Sequence, residues 1–308
     1  MYLTITLNPA IDKIATAETL KLGQNNPVKL HETLAAGRGV DVAKALRELG
    51  YPVTAGGFLG CNSASLFERL FISRGINDVF IRIKGLTRTN LHILDGDGGE
   101  TEFMEPAPVI TESEWRLFLE RLSQILEGCD LVAVCGSVPE SITPLMFSKM
   151  LDHIERYNLP ILMDTEDKML DVACTKRPAL IKFNREKICR QLCKSDPTEQ
   201  EMIHYGENLL KIGVKNVLIS LDKDGALLVN TEGAFKASVP SVEIQSTIGC
   251  GDTMVASIAE SLSLKRSSED MLRHAMALAE ANAMTLETAH VSLADYHELL
   301  PKVLITKL

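Results

Sequence analysis

Short runs rich in apolar and β-branched residues alternate along this chain with longer stretches in which apolar positions recur every three or four residues. The short runs predict strands at Leu3 to Leu7, Val53 to Leu59, Leu131 to Cys135, Ile161 to Asp164, Ala179 to Lys182 and Val217 to Leu221. Helical periodicity is clearest from Thr111 to Glu127, where Thr111 and Glu114 have the spacing of a capping box. This alternation predicts a layered α/β fold with a largely parallel sheet. From Gly225 to Val239 the pattern changes to antiparallel hairpins, with KDG and TEG as turns.

Two stretches fall outside the alternation: about 13–36, and about 85–108 around the glycine-rich turn that begins at Asp95. Both predict strand pairs apart from the main sheet, and a small sheet built from two insertions would make a lid over a site at the ends of the main strands. With no internal repeat and no Pro/Gly/Ser linker, one domain over residues 1–308 carrying that lid is expected.

Composition narrows the function. The apolar fraction of 45% and charged fraction of 24% are those of an ordinary globular protein. A net charge of −9 works against attraction to nucleic acid or an anionic membrane, so any anionic ligand must meet a local cluster of cations. The N-terminus lacks the features of a secretory signal and no 18-residue apolar span occurs, which predicts a cytoplasmic location. Seven cysteines form no CxxC and no histidine pair has zinc-ligand spacing, so neither a disulfide framework nor a structural metal is indicated.

The most informative segment is Ser246 to Ser257, where a β-like run ends in Gly249, Cys250, Gly251 and Asp252 and a helix-forming stretch begins. Glycines let the backbone turn sharply against a ligand, and the free N–H groups of a helix start bind anions. Asp252 in the first turn is placed to take a proton from an attacking hydroxyl, while those amides stabilise a phosphoryl group in transfer. An isolated GxGD is more often a plain turn with Asp as N-cap, so context decides. Neither a Walker GxxxxGKS or GxxxxGKT loop nor a GxGxxG fingerprint competes for the phosphate.

That context comes from six further segments: TLNPAID (Thr6 to Asp12), AGRGVDVA (Ala36 to Ala43), TRTN (Thr87 to Asn90), GSVP (Gly136 to Pro139), KFN (Lys182 to Asn184), and Ser220 with DGA (Asp224 to Ala226). Taken in order with Ser246 to Met254, they resemble the PfkB branch of the ribokinase-like carbohydrate kinases, nearly end to end. Within it the resemblance is strongest to the 1-phosphofructokinases and tagatose-6-phosphate kinases. It implies a three-layer α/β/α fold with a mostly parallel sheet and a small β lid, often used to form a homodimer. It also implies ATP and Mg2+ as cofactors and a small sugar phosphate as substrate. Position by position, Asp12, Gly37, Arg38, Gly39, Asp41, Asn90 and Ser137 are expected at the sugar, with Arg38 and Arg88 on its phosphate, since guanidinium binds phosphate with two hydrogen bonds. Asp252 would be the base and Gly249, Cys250 and Gly251 the anion hole. Lys182, Asn184, Ser220 and Gly225 would lie along the nucleotide, with Asn184 and Glu186 nearest the metal.

The chain departs from that pattern at several positions. Asp41 stands where the family has a neutral Asn, and an anion beside a sugar phosphate calls for a compensating cation. The family's acid three residues after Asn184 is Lys187 here, and Glu186 comes one place early, turned by about 100° on a helix. Cys250 replaces an Ala, Thr253 a Ser, and Asp222 a Gly. The expected activity is phosphorylation of fructose 1-phosphate to fructose 1,6-bisphosphate. The alternatives are tagatose 6-phosphate as substrate, a sugar-phosphate-binding protein of weak activity, or a kinase for an unphosphorylated sugar or nucleoside, against which Arg88 argues.

Overall fold

In the computed structural model, which describes residues 1–96, 99–239 and 242–308, the chain opens with β1 (Tyr2–Thr6), β2 (Ala10–Ala17), β3 (Lys29–Ala36), α1 (Arg38–Glu48) and β4 (Val53–Gly60). Then come α2 (Ala64–Arg74), the short β5 (Asn77–Asp78) and β6 (Ile81–Ile83), the lid strands β7 (Arg88–Asp95) and β8 (Glu100–Met104), and α3 (Glu112–Leu126). Regular βα alternation follows: β9 (Leu131–Cys135), α4 (Pro144–Glu155), β10 (Ile161–Asp164), α5 (Asp167–Thr175), β11 (Leu180–Asn184), α6 (Arg185–Leu192), α7 (Glu199–Lys211) and β12 (Asn216–Ser220). The chain ends with β13 (Ala226–Asn230), β14 (Gly233–Ser238), α8 (Cys250–Ser263), α9 (Ser268–Ala283), α10 (Leu293–Leu299) and β15 (Leu304–Lys307). Asp97 and Gly98 of the glycine-rich turn lie outside the described residues.

The main sheet runs β15-β14-β13-β12-β11-β10-β9-β1-β4-β5, with β6 also on β4. From β12 to β5 neighbouring strands are parallel, and β13 to β15 add an antiparallel edge. Strands of a parallel sheet are covered by helices on both faces, which is why their sequences are nearly continuous apolar runs. β9 shows the consequence: Leu131, Ala133 and Cys135 pack into the core under α1, α8 and α9, and Val132 and Val134 into the opposite core under α3, α4 and α7. The capping box of α3 is formed, with Thr111 Oγ1 accepting the Glu114 N–H at 3.3 Å and Glu114 Oε2 accepting the Thr111 N–H at 2.8 Å.

The second sheet, β3-β2-β7-β8, is assembled from the two odd stretches, with β2 and β7 paired in parallel. It starts three residues earlier than the pattern suggests, at Ala10, because Asp12 already pairs with Asn90. The KDG segment, partly in a 3₁₀ turn, joins β12 to β13 as an antiparallel hairpin, and TEG joins β13 to β14 in the same way.

The parallel strands all point their carboxyl ends at one place. There β1 ends in Thr6, β9 in Cys135, β10 in Asp164, β11 in Asn184 and β12 in Ser220. Chain order reverses direction across the β1–β9 pair, and in open α/β sheets such a switch point is where ligands bind.

Candidate active site

The Gly-Asp turn closes this end of the sheet. Gly249 caps α8 with φ of 85°, a left-handed conformation open to glycine, and a Cβ there would come within 2.6 Å of the Ala289 nitrogen. Asp252, in the first turn of α8, is 8% exposed. Burial pushes its carboxyl up to about 8, with the charges of Asp41 and Asp164 adding to the rise and those of Arg38 and Lys182 opposing it. Those four neighbours place Asp252 among the candidate site residues rather than out in solvent.

The amides of the turn divide. The Asp252 N–H donates to the Gly249 carbonyl at 3.0 Å, and the Cys250 N–H leans on that of Thr247 at 3.4 Å. Among the described residues the Gly251 N–H has no protein acceptor, so the anion hole narrows to Gly251 with the open start of α8. Lys182 completes it, because a Cβ on Gly251 would lie 2.5 Å from Lys182 Nζ. The ammonium thus lies beside the Gly251 backbone. The Cys250 side chain is not part of it: its thiol donates to the Ala279 carbonyl at 3.3 Å, and burial pushes it up to about 11. Gly251→Ala is expected to leave the fold intact but, by displacing Lys182, to lower kcat at least ~10-fold; steady-state kinetics beside a far-UV spectrum measures this, and an unchanged kcat would remove Gly251 and Lys182 from the transfer step.

A cavity of about 780 Å³ adjoins the turn. Lys182, Asn184, Ser220, Gly225, Cys250 and Gly251 all line it, as the sequence leads one to expect for a nucleotide cleft. Ile244, Met254, Met276 and Ala279 make an apolar wall, and Glu280, raised by burial, is the acid there that sequence patterns did not single out. Asp222 takes φ of 52°, a left-handed conformation that favours glycine, and with Asp224 it holds Arg185 at 3.4 Å and 2.5 Å.

Towards the lid lie Asp12, Arg88 and Asn90. Asn90 Nδ2 donates to Asp12 Oδ1 at 2.9 Å, and its carbonyl oxygen accepts from Arg88 at 3.3 Å. That is the one hydrogen bond of the Arg88 guanidinium among the described residues, and its Nε is buried with none. Burial lowers its basicity, and the charges of Asp12 and Glu102 only partly oppose that drop. At the switch point, Asn8 Nδ2 donates to Ser137 Oγ at 3.0 Å, and Asn8 Oδ1 is buried without a donor.

The structure qualifies four expectations, and corrects those for Arg38 and for Asn184 with Glu186. Arg38 does not offer a free guanidinium for phosphate: Asp164 takes it at 3.2 Å and Glu166 at 2.6 Å. Gly39 is a packing glycine, because a Cβ there would sit 2.4 Å from Thr6 Oγ1. Asp41 is buried at 5% exposure and meets Lys44 at 3.3 Å, so the cation that the sequence argument called for is one turn along its own helix. Asn184 and Glu186 do not converge on a metal: the Asn184 carbonyl caps α6 by accepting the Lys187 N–H at 2.9 Å, and Glu186 is exposed beside Arg190. No group of three or more His, Cys, Asp or Glu side chains able to hold a metal occurs among the described residues.

Sequence reasoning passed over Asp164, Glu166 and the inward turn of Lys187. Asp164 was legible in principle, since an acid ending a wholly apolar strand at the carboxyl edge of a parallel sheet faces the site.

Comparison with known proteins gives the family and the fold. The family described as pfkB family carbohydrate kinase matches residues 6–293. The chain is 34% identical to the 1-phosphofructokinase of Escherichia coli strain K12 over 296 residues, covering 96% of this chain and 94% of that protein. It is 31% identical to the 1-phosphofructokinase of Haemophilus influenzae, covering 98% and 97%. Phosphofructokinase-2 from Escherichia coli has a similar fold, with a TM-score of 0.89 at 23% identity over 97% of both chains.

Proposed function

This chain belongs to the pfkB family of carbohydrate kinases, and from that premise we propose that it transfers the γ-phosphoryl of ATP to the free primary hydroxyl of fructose 1-phosphate, giving fructose 1,6-bisphosphate and ADP. One observation carries the reading: the buried carboxyl of Asp252 stands at the mouth of α8 beside the Gly251 amide and Lys182, with the under-partnered Arg88 in the lid.

Asp252 accepts the proton of the substrate hydroxyl as its oxygen attacks the γ-phosphorus, and the bond to the ADP oxygen breaks. Lys182 and the Gly251 N–H hold the transferring group, whose charge is spread over its non-bridging oxygens. Arg88 binds the phosphate already on the sugar, and Asp12 and Asn90 take its hydroxyls. ATP would carry magnesium as its counter-ion, whose charge would offset that of the phosphates. Tagatose 6-phosphate presents the same two ends, a phosphate and a primary hydroxyl, and is the second substrate to test.

A base held up to about 8 must lose its proton before it can act. Activity on fructose 1-phosphate therefore rises with pH through about 8, and Asp41→Asn, by removing a neighbouring negative charge, moves that midpoint to lower pH. A kcat/KM profile of each protein reads this directly. An acid limb that stays in place in the variant rules out Asp41 as the neighbour that tunes the base.

The lid sheet leaves Leu30, Leu94, Phe103 and Met104 each more than two-fifths exposed, and we infer that a second copy of the chain covers them in a homodimer. No helix among the described residues is long and apolar enough to cross a membrane. Work on a sugar phosphate and ATP fits a cytoplasmic location, and a charge of −9 fits a protein without nucleic-acid partners.

A further inference from the structure

Around Asp164 lies a buried ion cluster of which the transfer step uses Lys182 alone. Asp164, at the end of β10, is 0% exposed. Its Oδ1 receives Lys187 Nζ at 2.5 Å and Arg38 at 3.2 Å, and its Oδ2 lies 3.5 Å from Lys182 Nζ. Glu166 takes Arg38 at 2.6 Å and Lys187 at 3.6 Å. The Lys187 ammonium also donates to the Thr165 carbonyl at 3.1 Å, so three oxygens surround it at 3% side-chain exposure.

Three oxygens around a buried positive charge, two of them from carboxylates beside a phosphate cleft, are the surroundings of a hard divalent cation. Magnesium demands oxygen ligands at about 2.1 Å in near-octahedral array. With Lys187 on Asp164 Oδ1 at 2.5 Å, that position is filled by a cation the chain itself supplies. The nearby donors are engaged as well: the Asn184 carbonyl accepts the Lys187 N–H, and Glu186 turns outward to Arg190. Although burial by itself would raise Asp164, Lys182, Lys187 and Arg38 together hold it well below the usual carboxylate range. Its Oδ1 is thus taken by Lys187 and Arg38, while its buried Oδ2 has the Lys182 charge at 3.5 Å but no hydrogen bond.

We propose that Lys187 is a built-in cation standing in the place of a protein-ligated metal, so that the cleft takes magnesium solely as the counter-ion that ATP carries in. Lys187 is then a positioning residue. It fixes Asp164, which in turn holds Lys182 against Gly251, and three cations against two carboxylates leave the cluster net positive toward the phosphates. The inference rests on the kinase reading for the identity of the nucleotide, whereas the buried cluster stands without it.

The test uses Mn2+ as a paramagnetic probe on the full-length, nucleotide-free protein, so it is read without turnover. Wild type is expected to leave the Mn2+ resonance that of the free ion, and its rate at saturating substrates is expected to be flat in free Mg2+ once ATP is fully complexed. Lys187→Gln uncovers the carboxylates, and is expected to capture about one Mn2+ per chain or to make the rate climb severalfold with free Mg2+. The proposal fails if wild type binds one Mn2+ that Asp164→Asn abolishes, or if its rate keeps rising severalfold with free Mg2+. It fails equally if folded Lys187→Gln matches wild type in both measurements. Should that variant not fold, the wild-type arm decides alone; absence of turnover in wild type would count against the kinase reading while the Mn2+ result still stood.

Discussion

Asp252→Asn is expected to lower kcat with ATP, Mg2+ and fructose 1-phosphate at least ~100-fold, with little change in substrate affinity, and to make the folded protein more stable. The two effects share one cause. In an unfolded chain this carboxyl ionises near 3.8, whereas in the folded protein burial, then Asp41 and Asp164, push it up to about 8. Between those values the folded state binds a proton that the unfolded state does not, so stability falls as pH rises through that window. A neutral amide removes the dependence. Since a tenfold difference in proton affinity between the two states is worth about 1.4 kcal/mol, even a strongly discounted effect leaves the variant at least ~1 kcal/mol more stable at pH 8, with the gap closing towards pH 4. Thermal melts across pH, run beside kinetics, measure both. Loss of turnover together with loss of stability would point to a structural carboxylate instead of a base.

Arg88→Ala carries the second large effect. Among the described residues the wild-type guanidinium has one hydrogen bond, at 3.3 Å, an unmatched Nε and a basicity lowered by burial. A charge-assisted bond to phosphate is worth roughly 1.5–3 kcal/mol, so its removal raises KM for fructose 1-phosphate by ~10- to 100-fold. Turnover of fructose, which has no phosphate to lose, is expected to be almost untouched. Equal losses on both sugars would assign Arg88 to the lid's own architecture. The structure sharpens this expectation by removing its rival, since Arg38 is already bound by two carboxylates.

How far the sequence reaches differs between fold and site. Strands such as Leu131–Cys135 and Ile161–Asp164 appear where their apolar runs lie, because a strand covered on both faces has no polar positions to blur its ends. The cap at Thr111 is local chemistry and equally legible. The lid's two strand pairs are visible as departures from the βα rhythm, but the parallel joining of β2 to β7 is long-range and leaves no mark in either segment. In the site, glycine and aspartate at the mouth of a helix can be read directly. Direction cannot: the family's acid position holds Lys187, and only the path of α6 shows that this side chain turns inward to Asp164 while Glu186 turns out. For the same reason Arg38 reads as a phosphate ligand, since its two carboxylate partners lie more than 120 residues along the chain.

Purified protein incubated with ATP, Mg2+ and a panel of ketose phosphates tests the central assignment most directly. ADP formed one-for-one with fructose 1,6-bisphosphate, fastest with fructose 1-phosphate and all but lost in Asp252→Asn, is the expected result. Thermal stabilisation by the same sugar phosphates without any ADP would contradict the account and leave a binding protein in its place.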